Sequence, residues 1–176
     1  MKKCLFLDRD GVINKDLGYV YKISDFNFNN DIFELVRRAN LFDYLVIIIT
    51  NQSGIARGYY DVNAYNSLTT WMLSQFKKHN CRVDQIYFCP YHPNGIIEEY
   101  SMEHWDRKPN PGMIMRAVKD FNVDIEKSIL VGDKISDIEA GKNAGIPYNF
   151  LFTGLSRQNS DAQAITEITE LSEVYE

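Results

Sequence analysis

The segment "LFLDRDGVIN" places two carboxylates, Asp8 and Asp10, two residues apart directly after a short apolar run, with Gly11 to turn the chain. Two acids this close favour a cation or a shared proton. A hard, oxygen-seeking ion such as Mg²⁺ suits them. "GDKISD" offers a second pair further along, with Asp133 and Asp137 separated by Lys134 and its neighbours after another apolar run. Each motif also has a plain structural reading. A polar strand end caps the turn that follows it, and Asp137 in the first turn of a helix is electrostatically favoured there. Both motifs lying at strand ends argues against coincidence.

Two further segments carry groups that bind anions. "TNQSGIARG" supplies Thr50, Asn51, Gln52 and Ser53 before a turn containing Gly. A hydroxyl and successive backbone N–H groups hold a phosphate, although the same residue types build ordinary loops. "DRKPNPG" supplies Arg107 and Lys108 beside two prolines that stiffen the segment. Lys108 suits a phosphate oxygen as a point charge, and Arg107 suits a second anion as a bidentate fork. Taken singly, such a pair is usually just solvated.

Positioning these groups falls to alternating strands and helices. Lys3 to Leu7 reads as a buried strand, and Asp31 to Asn40 as a helix with Ile32, Leu35, Val36 and Ala39 on one face. Tyr44 to Ile49 is a second strand, rich in β-branched residues. Asp61 to Lys78 is a helix with Asp61 as N-cap, and Gln85 to Cys89 is the third strand. After an irregular stretch from Pro90 to Pro109, Pro111 opens a helix that runs through Phe121. Ser128 to Gly132 is the fourth strand, Ser136 to Ala144 a helix ended by Gly145, and Tyr148 to Phe152 a fifth strand. Asp161 to Val174 is expected as a final helix. Such alternation with continuous apolar strands predicts an α/β fold: a three-layer, doubly wound parallel sheet covered on both faces. Ligands bind such sheets at the carboxyl ends of strands, where the strand order reverses. Asp8, Thr50 and Asp133 follow the first, second and fourth strands and so meet that expectation.

The bulk properties narrow the class. The 176 residues fit one domain over residues 1–176, with a long loop at about 90–109. A net charge of −5 gives no general attraction to nucleic acid or to an anionic membrane, while allowing a small basic pocket. Cys4, Cys81 and Cys89 give no disulfide framework. The first apolar run stops at Asp8, short of the roughly 7–15 residues of a secretion signal. No segment approaches the ~18 apolar residues of a membrane span. The expectation is a cytoplasmic protein, monomeric, with no nucleic-acid or membrane partner.

In combination the four motifs resemble the haloacid dehalogenase superfamily of phosphatases: "DRDGV", Thr50, Lys108 and "GDKISD", in that order from Asp8 to Asp137. The details "DRDGVIN", "DLGYV", "TNQSGIARG", "CPYHP", "RKPNPGM" and "VGDKISD" look like one branch, the D-glycero-D-manno-heptose 1,7-bisphosphate 7-phosphatases, with the histidinol-phosphate phosphatases as near relatives. The resemblance implies a small-molecule sugar phosphate as substrate and Mg²⁺ as cofactor. It makes Asp8 the nucleophile and a metal ligand. Asp10 becomes the general acid and base and lends a backbone carbonyl to the metal, and Asp133 completes the protein ligands. Thr50 and Lys108 hold the transferring phosphoryl group. Asp16, Leu17, Gly18, Tyr19, Asn51, Gln52, Ser53 and Arg107 line the substrate pocket, and Lys134 and Asp137 support the metal site. The segments Gly11 to Asp31 and Thr50 to Tyr87 are too short for a large cap domain, so loops must supply specificity. Other readings are a histidinol-phosphate phosphatase first, then a polynucleotide 3′-phosphatase, a receiver-type signalling module that keeps its phosphoryl group, and an inactive binding protein.

The same resemblance raises a zinc question. Relatives often carry Cys-x-His and then Cys-x-Cys in the long loop, four ligands suited to tetrahedral Zn²⁺. Here the first pair begins at Cys89, but Tyr91 stands at the His position and His92 follows. The second pair aligns with His104 and Asp106, neither of them a thiolate. Cys89, His92, His104 and Asp106 form a chemically allowed substitute set. The shifted register and the lost thiolates argue against tight zinc, and for a loop ordered by Tyr91, Trp105 and the prolines.

Overall fold

The computed structural model describes residues 1–154 and 166–175. Six parallel strands form one sheet: β1 (Cys4–Leu7), β2 (Leu45–Asn51), β3 (Gln85–Cys89), β4 (Ile129–Gly132), β5 (Tyr148–Phe152) and β6 (Thr166–Ile168), in the order β3-β2-β1-β4-β5-β6. Helices α1 (Ile32–Leu41), α2 (Val62–Lys78), α3 (Gly112–Phe121) and α4 (Ile135–Ala144) cover its faces.

The residue alternation of the strands explains the three layers. Leu5 and Leu7 of β1 join Val46 and Ile48 of β2 on one face, packed with Leu35, Val36, Leu68, Met72 and Phe76 of α1 and α2. Cys4 and Phe6 join Ile47 and Ile49 on the other face, packed with Met113, Ile114, Ala117 and Ile138 of α3 and α4. Both faces are buried, so the strands read as unbroken apolar runs. The Asp61 side chain accepts a hydrogen bond from Ala64 N at 2.7 Å and caps α2. Gly145, with φ 88°, ends α4. No helix of the described residues is long and apolar enough to cross a membrane.

One element departs from the sequence reading. In place of a final helix over Asp161 to Val174, Thr166–Ile168 forms β6 beside β5, and a 3₁₀ turn follows over Leu171–Tyr175. The earlier part of that span lies outside the described residues. "TEI" alternates with a period of two and carries β-branched residues, so pairing with the free edge of β5 overrides local helix preference.

Strand order reverses between β1 and β4, which are neighbours in the sheet but far apart in sequence. A receiver-type module would instead show the order 2-1-3-4-5. The segment Gly11 to Asp31 contains only a short 3₁₀ turn, Ile23–Asp25, and folds back through isolated bridges joining Asn14 to Asp10 and Phe28.

Candidate active site

At the reversal point the chain leaves β1 as Asp8-Arg9-Asp10 and leaves β4 as Asp133-Lys134. Asp8 is fixed by its amide, which donates to Val131 O at 3.0 Å across the two strands. The carboxylates of Asp8, Asp133 and Asp137 offer oxygens that all lie within 4.8 Å of one another. Lys108, carried in on the long loop, sits between two of them: its Nζ is 2.8 Å from Asp8 Oδ1 and 2.6 Å from Asp137 Oδ1. It also donates to Ile49 O at 2.9 Å. Asn51 positions this lysine through a two-way amide contact, donating to Lys108 O and accepting from Lys108 N, both at 3.1 Å.

Burial governs the charges. Desolvation raises the Asp8 carboxyl to about 6, with Lys108 opposing and Asp137 adding to the rise. Desolvation and the Asp8 charge raise Asp133 to about 8. Desolvation alone would lower Lys108, but Asp137 and Asp8 outweigh it and hold the ammonium charged. Lys108 serves Asp8 and Asp137, and Lys134 Nζ, 3.7 Å from Asp133 Oδ2, is shared with Asp16, so four carboxylates against two ammonium groups leave an excess of negative charge. Asp137 is committed, because its other oxygen accepts from Lys134 N at 3.0 Å. Asp133 Oδ1 is buried and has no hydrogen-bond partner among the described residues. An orphaned acceptor beside a second carboxylate fits a hard divalent cation such as Mg²⁺. Gly11 makes this approach feasible: it has φ 100°, and a Cβ there would stand 2.2 Å from the Asp133 carboxylate.

The expected substrate residues divide into two groups. A cavity of about 540 Å³ is lined by Asp8, Asp10, Asp16, Gly18, Tyr19, Asn51, Ser53, Arg107, Lys108, Lys134 and Asp137, among others. Arg107 is held there by a bond from its Nη1 to Tyr91 O at 3.2 Å. Asp16 accepts from Gly18 N and Lys134 Nζ, both at 2.9 Å, and thereby ties the first loop to the start of α4. Three residues fall outside this lining. Leu17 points to solvent and is 61% exposed. Gln52, read as a pocket residue, is buried instead, with its Nε2 on Asp10 Oδ2 at 3.0 Å and on Thr50 Oγ1 at 2.8 Å. Thr50, at the end of β2, is buried as well. Asp133 lines an adjoining cavity of about 580 Å³ on its other side, together with Gly11, Lys15 and Asp16.

Sequence reasoning passed over Arg9, Asn14 and Tyr60. Arg9 is 1% exposed and holds Asp10 through Nε and Nη2, while donating to Val20 O at 2.7 Å. Asn14 donates to Asp10 Oδ1 at 3.0 Å. A cation locked between two acids at a buried strand end was the available signal for Arg9.

The zinc set is not assembled. Among the described residues, the groups able to share a metal are Asp8, Asp133 and Asp137. His104 stacks on Tyr91 at 4.1 Å between centroids, Asp106 pairs with Arg116 at 2.7 Å, and His92 Nε2 lies 3.0 Å from Arg57 Nη2.

Comparison with known proteins follows the same lines. The family described as "HAD-hyrolase-like" matches residues 105–173. The D-glycero-alpha-D-manno-heptose-1,7-bisphosphate 7-phosphatase of Burkholderia mallei is 51% identical over 82% of this chain and 76% of its own length. The chain belongs to this family of haloacid dehalogenase phosphatases. The D-glycero-beta-D-manno-heptose-1,7-bisphosphate 7-phosphatase of Pasteurella multocida is 44% identical over 83% of the chain and 79% of its own length. The D,D-heptose 1,7-bisphosphate phosphatase of B. bronchiseptica, solved with magnesium and phosphate, superimposes with a TM-score of 0.83 at 27% identity, covering 98% of this chain and 95% of that one.

Proposed function

We propose that this protein is a Mg²⁺-dependent phosphomonoesterase that removes the C7 phosphate of D-glycero-D-manno-heptose 1,7-bisphosphate through an aspartyl-phosphate on Asp8. It would act as a monomer in the cytoplasm, in the biosynthesis of activated heptose. The observation that carries the reading is the buried cluster of Asp8, Lys108 and Asp133 at the reversal of strand order, opening onto a cavity of about 540 Å³. The relative named for the α anomer shares 51% identity and the one named for the β anomer 44%, which favours the α-configured substrate.

The residues perform the reaction as follows. Asp8, Asp133 and the Asp10 backbone carbonyl would hold the Mg²⁺, whose contribution is to neutralise the phosphoryl oxygens and the attacking carboxylate. Asp8 attacks phosphorus while Lys108 and the Thr50 hydroxyl draw charge from the equatorial oxygens. Asp10 gives its proton to the departing sugar alkoxide. It then takes one from the water that cleaves the acyl phosphate, so one carboxyl serves both half-reactions. Arg107, anchored through Tyr91, faces the pocket as a partner for the second phosphate.

Single-turnover reaction with a ³²P-labelled bisphosphate tests the covalent step. Acid quench of the wild type should trap label on the protein at Asp8. Asp8→Asn should trap none and release no phosphate. Undiminished phosphate release by Asp8→Asn would refute the covalent step.

A further inference from the structure

Asp10 is surrounded by donors. Its carboxylate accepts from Arg9, from Asn14 and from Gln52, and only Gln52 also reaches the phosphate-holding side of the site through Thr50. Gln52 is 1% exposed and its amide is fully used. The two hydrogens of Nε2 go to Asp10 Oδ2 and Thr50 Oγ1. The Oε1 atom accepts from the Tyr60 hydroxyl at 2.6 Å. Reversing the amide would set Oε1 against the acceptor-only Asp10 carboxylate, so Asp10 decides which way the amide faces, and the Tyr60 hydroxyl anchors the Oε1 end so presented.

Two consequences follow from that orientation. Thr50 Oγ1 is occupied as an acceptor, which leaves its own hydrogen to donate toward a phosphoryl oxygen. The Asp10 carboxylate is held at a set angle beside the position of the leaving group. The chain makes room for the phenol deliberately. A Cβ at Gly54 would lie 2.2 Å from Tyr60 Cε1, so the glycine of "TNQSG" is the space in which the Tyr60 ring packs. Tyr21 stacks on the other side of that ring at 5.1 Å.

We propose that Tyr60 is a positioning residue for proton delivery, acting through Gln52 to aim Asp10 at the leaving oxygen. The inference rests on the assignment of Asp10 as general acid. A geometric error of 1 Å in such a group costs on the order of 10²-fold in rate. The bond between phosphorus and the sugar oxygen breaks with transfer of the Asp10 proton to that oxygen. A nitrophenolate leaves without a proton, so its rate is insensitive to the aim of Asp10.

The test compares Tyr60→Phe with wild type on an alkyl phosphate, the heptose bisphosphate, and on p-nitrophenyl phosphate. The measured quantity is alcohol or phenol release in a single turnover, with Mg²⁺ saturating. Tyr60→Phe keeps the ring in its slot and should stay folded, melting a few degrees lower at most for the lost buried hydrogen bond. It should lose roughly tenfold or more on the alkyl substrate, a share of the ~10²–10⁴ due to general acid–base help, and under about threefold on the aryl one. Gln52→Ala, which also frees Thr50, should lose at least as much on the alkyl substrate, and adding Tyr60→Phe to it should cost nothing further, because the two act in series. Equal losses on both substrates, or additive losses in the double variant, overturn the proposal. Asp10→Asn serves as the control. If it lacks the alkyl–aryl asymmetry, the acid role of Asp10 fails and the Tyr60 role with it; if Asp10→Asn shows it and Tyr60→Phe does not, only the Tyr60 role fails.

Discussion

Asp8 and Asp133 face one another across the β1–β4 junction, and burial raises both carboxyls above the range of a free aspartate. The sign of the resulting linkage is set by that direction. An acid whose folded-state pKa exceeds its unfolded value favours folding in its neutral form. That contribution is complete below about pH 4 and is lost as pH rises through about 6 for Asp8 and about 8 for Asp133. Metal-free protein should therefore lose melting temperature from these groups between mildly acidic and mildly alkaline pH. Mg²⁺ binds the ionised forms, so its stabilising shift should grow over the same interval. Asp133→Asn should flatten both trends. Thermal melts with Mg²⁺ or EDTA across that pH range measure them, and a Mg²⁺ shift that shrinks with rising pH would count against Asp133 as a ligand. Asp10→Asn should lower turnover by about 10²–10⁴ while leaving Mg²⁺ binding near normal, because the ligand it would offer the metal is its backbone carbonyl. Arg107→Ala should reduce kcat/KM for the heptose bisphosphate more than for histidinol phosphate. Equal losses on the two substrates would remove its role at a second phosphate.

The long loop after β3 has one evident task at the scale of elements, which is to deliver Arg107 and Lys108. Asn51 at the end of β2 grips the Lys108 backbone from both sides. Asn51→Ala should raise KM and lower kcat together by releasing the loop, whereas Leu17→Ala, on a side chain turned to solvent, should change neither by more than about twofold. The loop's own order comes from packing: Tyr91 lies between Tyr100 and His104, and Arg116 holds Asp106. Elemental analysis of protein purified without chelator should give well under one zinc per chain, and a stoichiometric content would reverse that view. Strands β3 and β5 were legible to the residue because turn-forming residues bracket short runs rich in aromatic and aliphatic side chains. Strand β6 was not, because three residues carry too little periodicity and only the edge of β5 selects the pairing. The loop "TNQS" shows the same limit at the site. Thr, Asn, Gln and Ser look alike in sequence whether they face a ligand or support the residue that does. Only the packing of Tyr60 against Gly54 puts Gln52 beneath Asp10.

At the scale of the molecule, the strand order brings residues from positions 8 and 133 together, and among the described residues the site lies under loops, without a large cap. Under the proposed function such an opening would take a small sugar bisphosphate with one phosphate at Asp8 and the other toward Arg107. The central claim is therefore regiochemical as well as chemical: the phosphate on the primary carbon is cut and the anomeric one is kept. Following D-glycero-α-D-manno-heptose 1,7-bisphosphate by ³¹P NMR in the presence of Mg²⁺ tests it most directly. The expected result is one equivalent of inorganic phosphate and retention of the anomeric phosphate resonance, faster than for the β anomer and abolished by EDTA. Loss of the anomeric resonance with the C7 phosphate intact, or equal turnover in chelator, would contradict it.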